Sequence, residues 1–284
     1  MTYGLRPPNY RLPPSAHIGR VRLQVGDLSR SIEFYEGKLG FQRLGAAPGH
    51  ATFGAGDAPL IELVERKGAK PVLPRSRLGL FHFAILLPDR ASLGRAMLQL
   101  HQAGIDLGMA DHGVSEALYL SDPDGLGIEI YADRPRESWR AEGAELAMGT
   151  DPLDTGSLLR AAAGEPWSRM PAGTVIGHVH LHVGDLALGK RFYHEALGLD
   201  LTHWSYPHAL FLSAGGYHHH LGINTWAPHA PPPRDDEAQL LQWELVIPDD
   251  AARRAALESV RAAGLGDGAA AGVIPDPWGT KVKL

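Results

Sequence analysis

The stretch GHVHLHVGDL, residues 177–186, sets His178, His180 and His182 at every second position, so that on a strand all three imidazoles share one face. The matching stretch near the N-terminus, GRVRLQVGDL at 19–28, carries Arg20, Arg22 and Gln24 instead. Two further places hold groups of the same kind: His82 in FHFAILL and the run His218-His219-His220 in GGYHHHLGINTW. Imidazole binds divalent metals when neutral and exchanges protons near pH 7. The chain has no cysteine. Disulfides, thiolate nucleophiles, cysteine-ligated zinc and iron–sulfur clusters are thereby excluded, and a metal would have to sit on His, Asp or Glu.

The elements that must position these residues repeat. IGRVRLQVGDLSRSIEFYEGKLGF (18–41) matches IGHVHLHVGDLALGKRFYHEALGL (176–199) without a gap. Each reads as a strand of alternating apolar residues, a Gly-Asp turn and a helix containing Phe-Tyr, stopped by Gly40 or Gly198. A weaker pair, FHFAILLPDR… (81–105) and LQWELVIPDD… (241–265), reads as strand, Pro-Asp turn and helix, and each later runs into a strand after a turn, DPDGLGIEIY or DPWGTKVKL. Four β-α modules result: one at about 15–66, two at 78–132, three at 174–226 and four at 237–284. Residues 133–173 form a polar connector in which DTGSLLRAA suits a short capped helix, and the proline-rich 227–238 links modules three and four. The domain division expected is 15–132, the 133–173 connector and 174–284.

The 284 residues, 44% apolar, suffice for two globular domains. A net charge of −5 without basic runs argues against nucleic acid and membrane surfaces as partners. No signal-peptide core or 18-residue apolar run occurs, so a cytoplasmic location is expected.

The fourfold β-α-β-β-β unit, with its repeated VGDL…FY…LG and DPDGLGIEIY motifs, resembles the vicinal oxygen chelate (glyoxalase/bleomycin resistance/dioxygenase) superfamily. The resemblance spans nearly the whole chain outside the connector. It implies an α+β fold of four βαβββ modules that pair into two cupped, barrel-like sheets, each able to hold a divalent metal. In such folds the ligands come from first and last module strands. Here those positions hold Arg20, His82, His178 and Gln242 on first strands, and Glu129 and Lys283 on last strands. Arg20, Gln242 and Lys283 cannot bind a cation together. His82, Glu129 and His178 form a two-histidine, one-carboxylate set suited to Fe(II) or Mn(II). Module two is therefore expected to pair with three, and one with four.

The texts GLFHFAILLPDR, SEALYLSDPDG and GGYHHHLGINTW look most like bacterial catechol 2,3-dioxygenases of the extradiol type. That likeness implies acid–base work for a histidine in the last strand of module three, matched to His219, with His218 and His220 as alternatives since three consecutive strand residues alternate faces. It also implies a tyrosine that contacts a substrate oxygen, Tyr119, with His112 in the preceding loop as a second candidate. Arg134 reads as structural. Trp204, Tyr206 and His208 are candidates to shape the pocket. The reaction implied is O2-dependent meta cleavage of a small aromatic diol, a step in aromatic catabolism. Two rivals are a glyoxalase-like isomerase or transferase, which would work without O2, and a non-catalytic binder of aromatic compounds, which would lack metal. Two fused barrels could be self-sufficient, and a homo-oligomer stays open.

Overall fold

The computed structural model describes residues 3–162, 164, 166–266 and 272–284. Residues 267–271, within module four, and 163 and 165, within the connector, lie outside the described residues.

Module one supplies β1 (His17–Val25), helix α1 (Leu28–Ile32) running on into a π-helical turn (Glu33–Lys38), β2 (Gln42–Ala47), β3 (His50–Gly54) and β4 (Pro59–Glu65). Module two supplies β5 (Gly79–Leu86), α2 (Arg90–Gln102), β6 (Gly108–Asp111), β7 (Ser115–Ser121) and β8 (Gly127–Asp133). The connector contains β9 (Ala141–Glu142), β10 (Glu145–Leu146) and the short helix α3 (Thr155–Ala161). Module three repeats the first plan with β11 (Val175–His182), α4 (Leu186–Lys190) and its π turn (Arg191–Ala196), β12 (Asp200–His203), β13 (Ala209–Ser213) and β14 (Leu221–Asn224). Module four holds β15 (Gln239–Val246), α5 (Asp250–Ala262), β16 (Val273–Pro275) and β17 (Lys281–Lys283), three strands among the described residues where the repeat predicts four.

Among the described residues every α-helix starts on an aspartate. Asp27, Asp89, Asp154, Asp185 and Asp249 each accept a hydrogen bond from a backbone N–H of the first turn, at 2.7–3.0 Å, which satisfies a donor the helix itself cannot. The Gly-Asp and Pro-Asp turns of the repeats are thus helix starts by local chemistry. Gly40 and Gly198, with φ of +81° and +96°, end the two Phe-Tyr helices.

Modules pair across the chain. An eight-stranded sheet in the order β12-β13-β14-β11-β5-β8-β7-β6 joins module three to module two. A seven-stranded sheet, β16-β17-β15-β1-β4-β3-β2, joins module four to module one. The joints are the antiparallel pairs β5–β11 and β1–β15 of first strands. The mixed α+β architecture of two curled sheets is the one the family resemblance implies.

Period-2 alternation decides what each sheet face carries. Val179 and Leu181 of β11, Phe83 and Ile85 of β5, and Ile128 and Ile130 of β8 enter one apolar core that draws residues from all four modules. The intervening His178, His180, His82 and Glu129 project from the opposite face, into the cup. In the other sheet Val21, Leu23, Trp243 and Val282 enter the core, and Arg20, Arg22, Glu244 and Lys283 take the opposite face.

Candidate metal centre and cavity

In β5–β11 His82 stands opposite His180, and Ala84 opposite His178; in β5–β8 Ala84 stands beside Glu129. This register brings His82, Glu129 and His178 from three adjacent strands to one point. Their donor atoms form a small triangle: His82 Nε2 to Glu129 Oε2 at 3.0 Å, His178 Nε2 to Glu129 Oε2 at 3.2 Å, and Nε2 to Nε2 at 3.3 Å. Ligands at about 2.1 Å from a metal and 90° apart are separated by about 3 Å, so the triangle has the edge lengths of one octahedral face. All three side chains are buried, and among the described residues this is the group of such ligands close enough to share an ion.

The charge state suits a cation. Burial alone would raise the Glu129 carboxyl, but His178 and His82 more than offset it and hold it well below the usual range. Burial pushes His178 down to about 4 against the pull of Glu129. A neutral imidazole and a charged carboxylate are therefore the resting forms at pH 7, as metal ligands require. His178 Nδ1 is buried without a partner.

A cavity of about 250 Å³ opens beside this triangle and is lined by His82, Glu129, His112, Tyr119, His180 and His219, with Phe81, Phe211, Trp226 and Tyr206 as aromatic walls. His178, the third corner, is 1% exposed and is not part of this lining. A larger cavity of about 890 Å³ shares Phe81, His82 and Tyr119 but touches neither Glu129 nor His219, so the smaller one is the candidate site. Its size suits one small aromatic ring.

His219 lies against His178, ring centroids 4.0 Å apart, and burial followed by the surrounding imidazoles pushes it well below its ordinary value, so it rests neutral. The sequence predicts that His218–His220 belong to the last strand of module three with alternating faces. Instead that strand begins at Leu221, and the three histidines occupy the turn before it, all buried. Turn geometry releases them from alternation. His219 faces the cavity, His218 Nε2 meets Asp133 at 3.0 Å, and His220 Nδ1 accepts the Ala214 N–H at 3.1 Å.

Tyr119 stands opposite Glu129 on β7, and its hydroxyl meets His112 Nε2 at 2.6 Å. His112 Nδ1 lies 2.7 Å from the Gly149 carbonyl. A carbonyl only accepts, so Nδ1 carries the proton, Nε2 accepts from Tyr119, and the phenol oxygen keeps lone pairs for the cavity. Burial, then Glu129, raises the Tyr119 hydroxyl well above its ordinary value and keeps it protonated.

His182 is turned away to Asn224 Oδ1 at 2.7 Å, whereas His180 keeps a buried, unpartnered Nε2 beside the cavity. Gly222, paired with His180 across β11–β14, leaves the room its ring occupies, since a Cβ there would lie 2.7 Å from it. Arg134 binds Asp111 and Glu116 and is structural. Of the pocket-shaping candidates Tyr206 lines the cavity, while Trp204 and His208 do not. Sequence reasoning missed Phe81, Phe211 and Trp226, and it missed Met148 to Thr150 of the connector, which also line the wall. No repeat marks the connector residues, so no sequence signal pointed to them.

The corresponding face of the other sheet is closed by ion pairs. Arg20 meets Glu244 at 2.9 Å and Glu62 at 3.5 Å, Arg22 meets Glu62 at 3.1 Å, and Lys283 meets Glu244 at 3.3 Å. Its two carboxylates are occupied by resident cations.

Family comparison agrees with this duplication. The model of the Glyoxalase/Bleomycin resistance protein/Dioxygenase superfamily matches residues 17–130 and again 175–282. The chain belongs to the Glyoxalase/Bleomycin resistance protein/Dioxygenase superfamily. Within that superfamily it is 46% identical over 234 residues, 81% of this chain and 82% of the relative, to a protein named catechol-2,3-dioxygenase of Bacillus subtilis (strain 168). Among solved structures it is similar to a putative dioxygenase of Bacillus subtilis (TM-score 0.61, 16% identity, 91% of this chain and 77% of the other) and to a glyoxalase I mutant of Zea mays (TM-score 0.54, 19% identity, 94% and 91%). These two likenesses concern the superfamily fold. Among the described residues no helix is long and apolar enough to cross a membrane.

Proposed function

We propose that this chain is an extradiol dioxygenase that opens the ring of catechol or a substituted catechol at the meta position. Fe(II), or Mn(II) in its place, would be held by His82 Nε2, His178 Nε2 and Glu129 Oε2. The observation that carries the reading is the convergence of these three atoms within 3.3 Å at the wall of a one-ring aromatic cavity that also contains His219 and Tyr119. Two histidines and one carboxylate on a single face would leave a bound metal accessible to substrate and dioxygen. The metal, when bound, supplies Lewis acidity and a route for charge between diol and O2.

The chain's own residues do the rest. His219 is neutral and accepts a proton from a catechol hydroxyl, later returning it to a product oxygen. Tyr119, its O–H donated in a hydrogen bond to His112, accepts a hydrogen bond from the second hydroxyl and fixes the orientation of the ring. Phe81, Phe211 and Trp226 hold the ring's faces and exclude water. The reaction incorporates both atoms of O2 into the opened product, so no external reductant is needed.

The test is to load the protein with Fe(II) anaerobically, add catechol, and then admit O2. The expected result is a yellow ring-opened product with one O2 consumed per catechol. An iron-loaded protein that leaves catechol intact, or that turns over a substrate without O2, overturns the reading.

A further inference from the structure

Asp133 is absent from the cavity wall, yet it terminates a chain of hydrogen bonds that begins there. Its Oδ1 lies 3.0 Å from His218 Nε2 and 3.1 Å from the Tyr217 hydroxyl. His218 Nδ1 in turn lies 2.7 Å from His219 Nδ1. Tyr217 is also bonded to Tyr131 at 2.7 Å, which fixes the partner side of the carboxylate. The residues come from two elements: Asp133 ends β8, four residues after Glu129 and on the same face, and the histidines occupy the turn before β14.

With His218 as a neutral imidazole, proton bookkeeping along this chain has one direction. A carboxylate only accepts, so His218 Nε2 is the donor. A neutral His218 then has an accepting Nδ1, and the short Nδ1–Nδ1 contact requires His219 to donate from its own Nδ1. The proton of His219 is thus drawn away from the cavity, and Nε2 is left with its lone pair. The free neutral histidine side chain in water prefers the opposite tautomer, with Nε2 protonated, so this arrangement has to be imposed from outside the ring.

We infer that Asp133 is a positioning residue which, acting through His218, holds His219 as the Nδ1–H tautomer so that Nε2 presents a proton acceptor to the substrate cavity. The inference rests on the proposed acid–base role of His219 for its catalytic meaning, though the tautomer itself does not depend on that role. Without Asp133, His218 has no fixed acceptor on Nε2, the direction of the chain is lost, and a share of His219 places a proton where a base is needed.

The experiment uses full-length protein labelled with ¹⁵N-histidine and carrying diamagnetic Zn(II). Long-range proton–nitrogen correlation spectra distinguish the two tautomers of each neutral imidazole. Wild-type His219 is expected as Nδ1–H and His218 as Nε2–H, and Asp133→Ala is expected to move the His219 pattern toward Nε2–H. In iron-loaded protein the same variant should lose about 10–100-fold in kcat with KM and iron content nearly unchanged, and Asp133→Glu should restore both tautomer and rate in part. A wild-type spectrum with His219 protonated on Nε2, or with His218 doubly protonated, overturns the inference even if Asp133→Ala fails to fold. So does a folded Asp133→Ala protein whose His219 spectrum is unchanged. If iron-loaded wild type leaves catechol intact, the dioxygenase reading falls, while the spectrum still decides the role of Asp133.

Discussion

Tyr193 of module three donates its hydroxyl proton to Asp276 of module four at 2.7 Å. The equivalent Tyr35 of module one reaches Asp122 of module two at 3.1 Å. The sheets pair one with four and two with three, so these tyrosines tie together the modules that the sheets leave apart. Both hydroxyls are buried, and both carboxylates sit in the Asp-Pro turns that precede a last strand. Replacing either tyrosine by Phe leaves a buried carboxylate short of a donor. Each change is expected to cost about 1–3 kcal/mol, read as a lower urea midpoint with unchanged slope. A change below about 0.5 kcal/mol in both would show that the bonds do not stabilise the module contacts.

Removing any corner of the ligand triangle should abolish metal retention. Wild-type protein is expected to hold one Fe(II) or Mn(II) per chain, and His82→Ala, His178→Ala and Glu129→Ala none after dialysis, by elemental analysis. Arg20→Ala, Lys283→Ala and His180→Ala should retain full stoichiometry. A full metal complement in Glu129→Ala would refute the assignment.

His219→Ala should keep its metal and lose about 10²–10⁴-fold in kcat for catechol cleavage, the range for loss of a positioned acid–base group. Tyr119→Phe removes one hydrogen bond, worth about 1 kcal/mol, and should cost about fivefold in kcat/KM. Equal rates in wild type and His219→Ala would assign proton transfer elsewhere.

Gly177 lies where the Tyr131 hydroxyl approaches β11, and a Cβ there would stand 1.8 Å from that oxygen. Gly177→Ala must displace a buried tyrosine bonded to Tyr217. The expected cost is about 1–3 kcal/mol of stability, with loss of metal affinity because His178 is the next residue. An alanine variant as stable and as metal-retentive as wild type would contradict the close approach.

The metal-free protein should lose stability as pH falls from about 6.5 to about 4. Burial pushes His178 down to about 4 and His220 to about 3, and it lowers His180 and His219 in the same direction. In the unfolded chain these groups regain their ordinary value of 6.5 and bind protons first. Each therefore removes about 1.4 kcal/mol per pH unit within its window as the medium acidifies. Asp122, raised to about 7 by burial and then by Asp124, opposes them with one proton over much of the same range, since the fold favours its protonated form. Burial raises Asp276 in the same sense. Four histidines outweigh two aspartates, so denaturant titrations should show stability highest above pH 7. A flat profile between pH 4 and 7 would exclude the buried imidazole cluster.

The sequence by itself determined the module plan, because that plan is written in short-range chemistry. Aspartates cap helices, Gly40 and Gly198 end them, and alternate residues divide between core and cup. The repeated motifs also marked equivalent strand positions, so His82, Glu129 and His178 could be singled out against Arg20, Gln242 and Lys283. What alternation cannot reach, only the tertiary structure decided. His218–His220 fall in a turn, where facing depends on contacts with Asp133 and Ala214 that lie far away in the chain. Asp133 shares a strand face with Glu129, but its role follows from a partner 85 residues away. The aromatic wall and the connector's Met148 to Thr150 meet at the cavity only because the eight-stranded sheet curls and the connector packs against it. Long-range packing brings such residues together, and nothing in their local text records it.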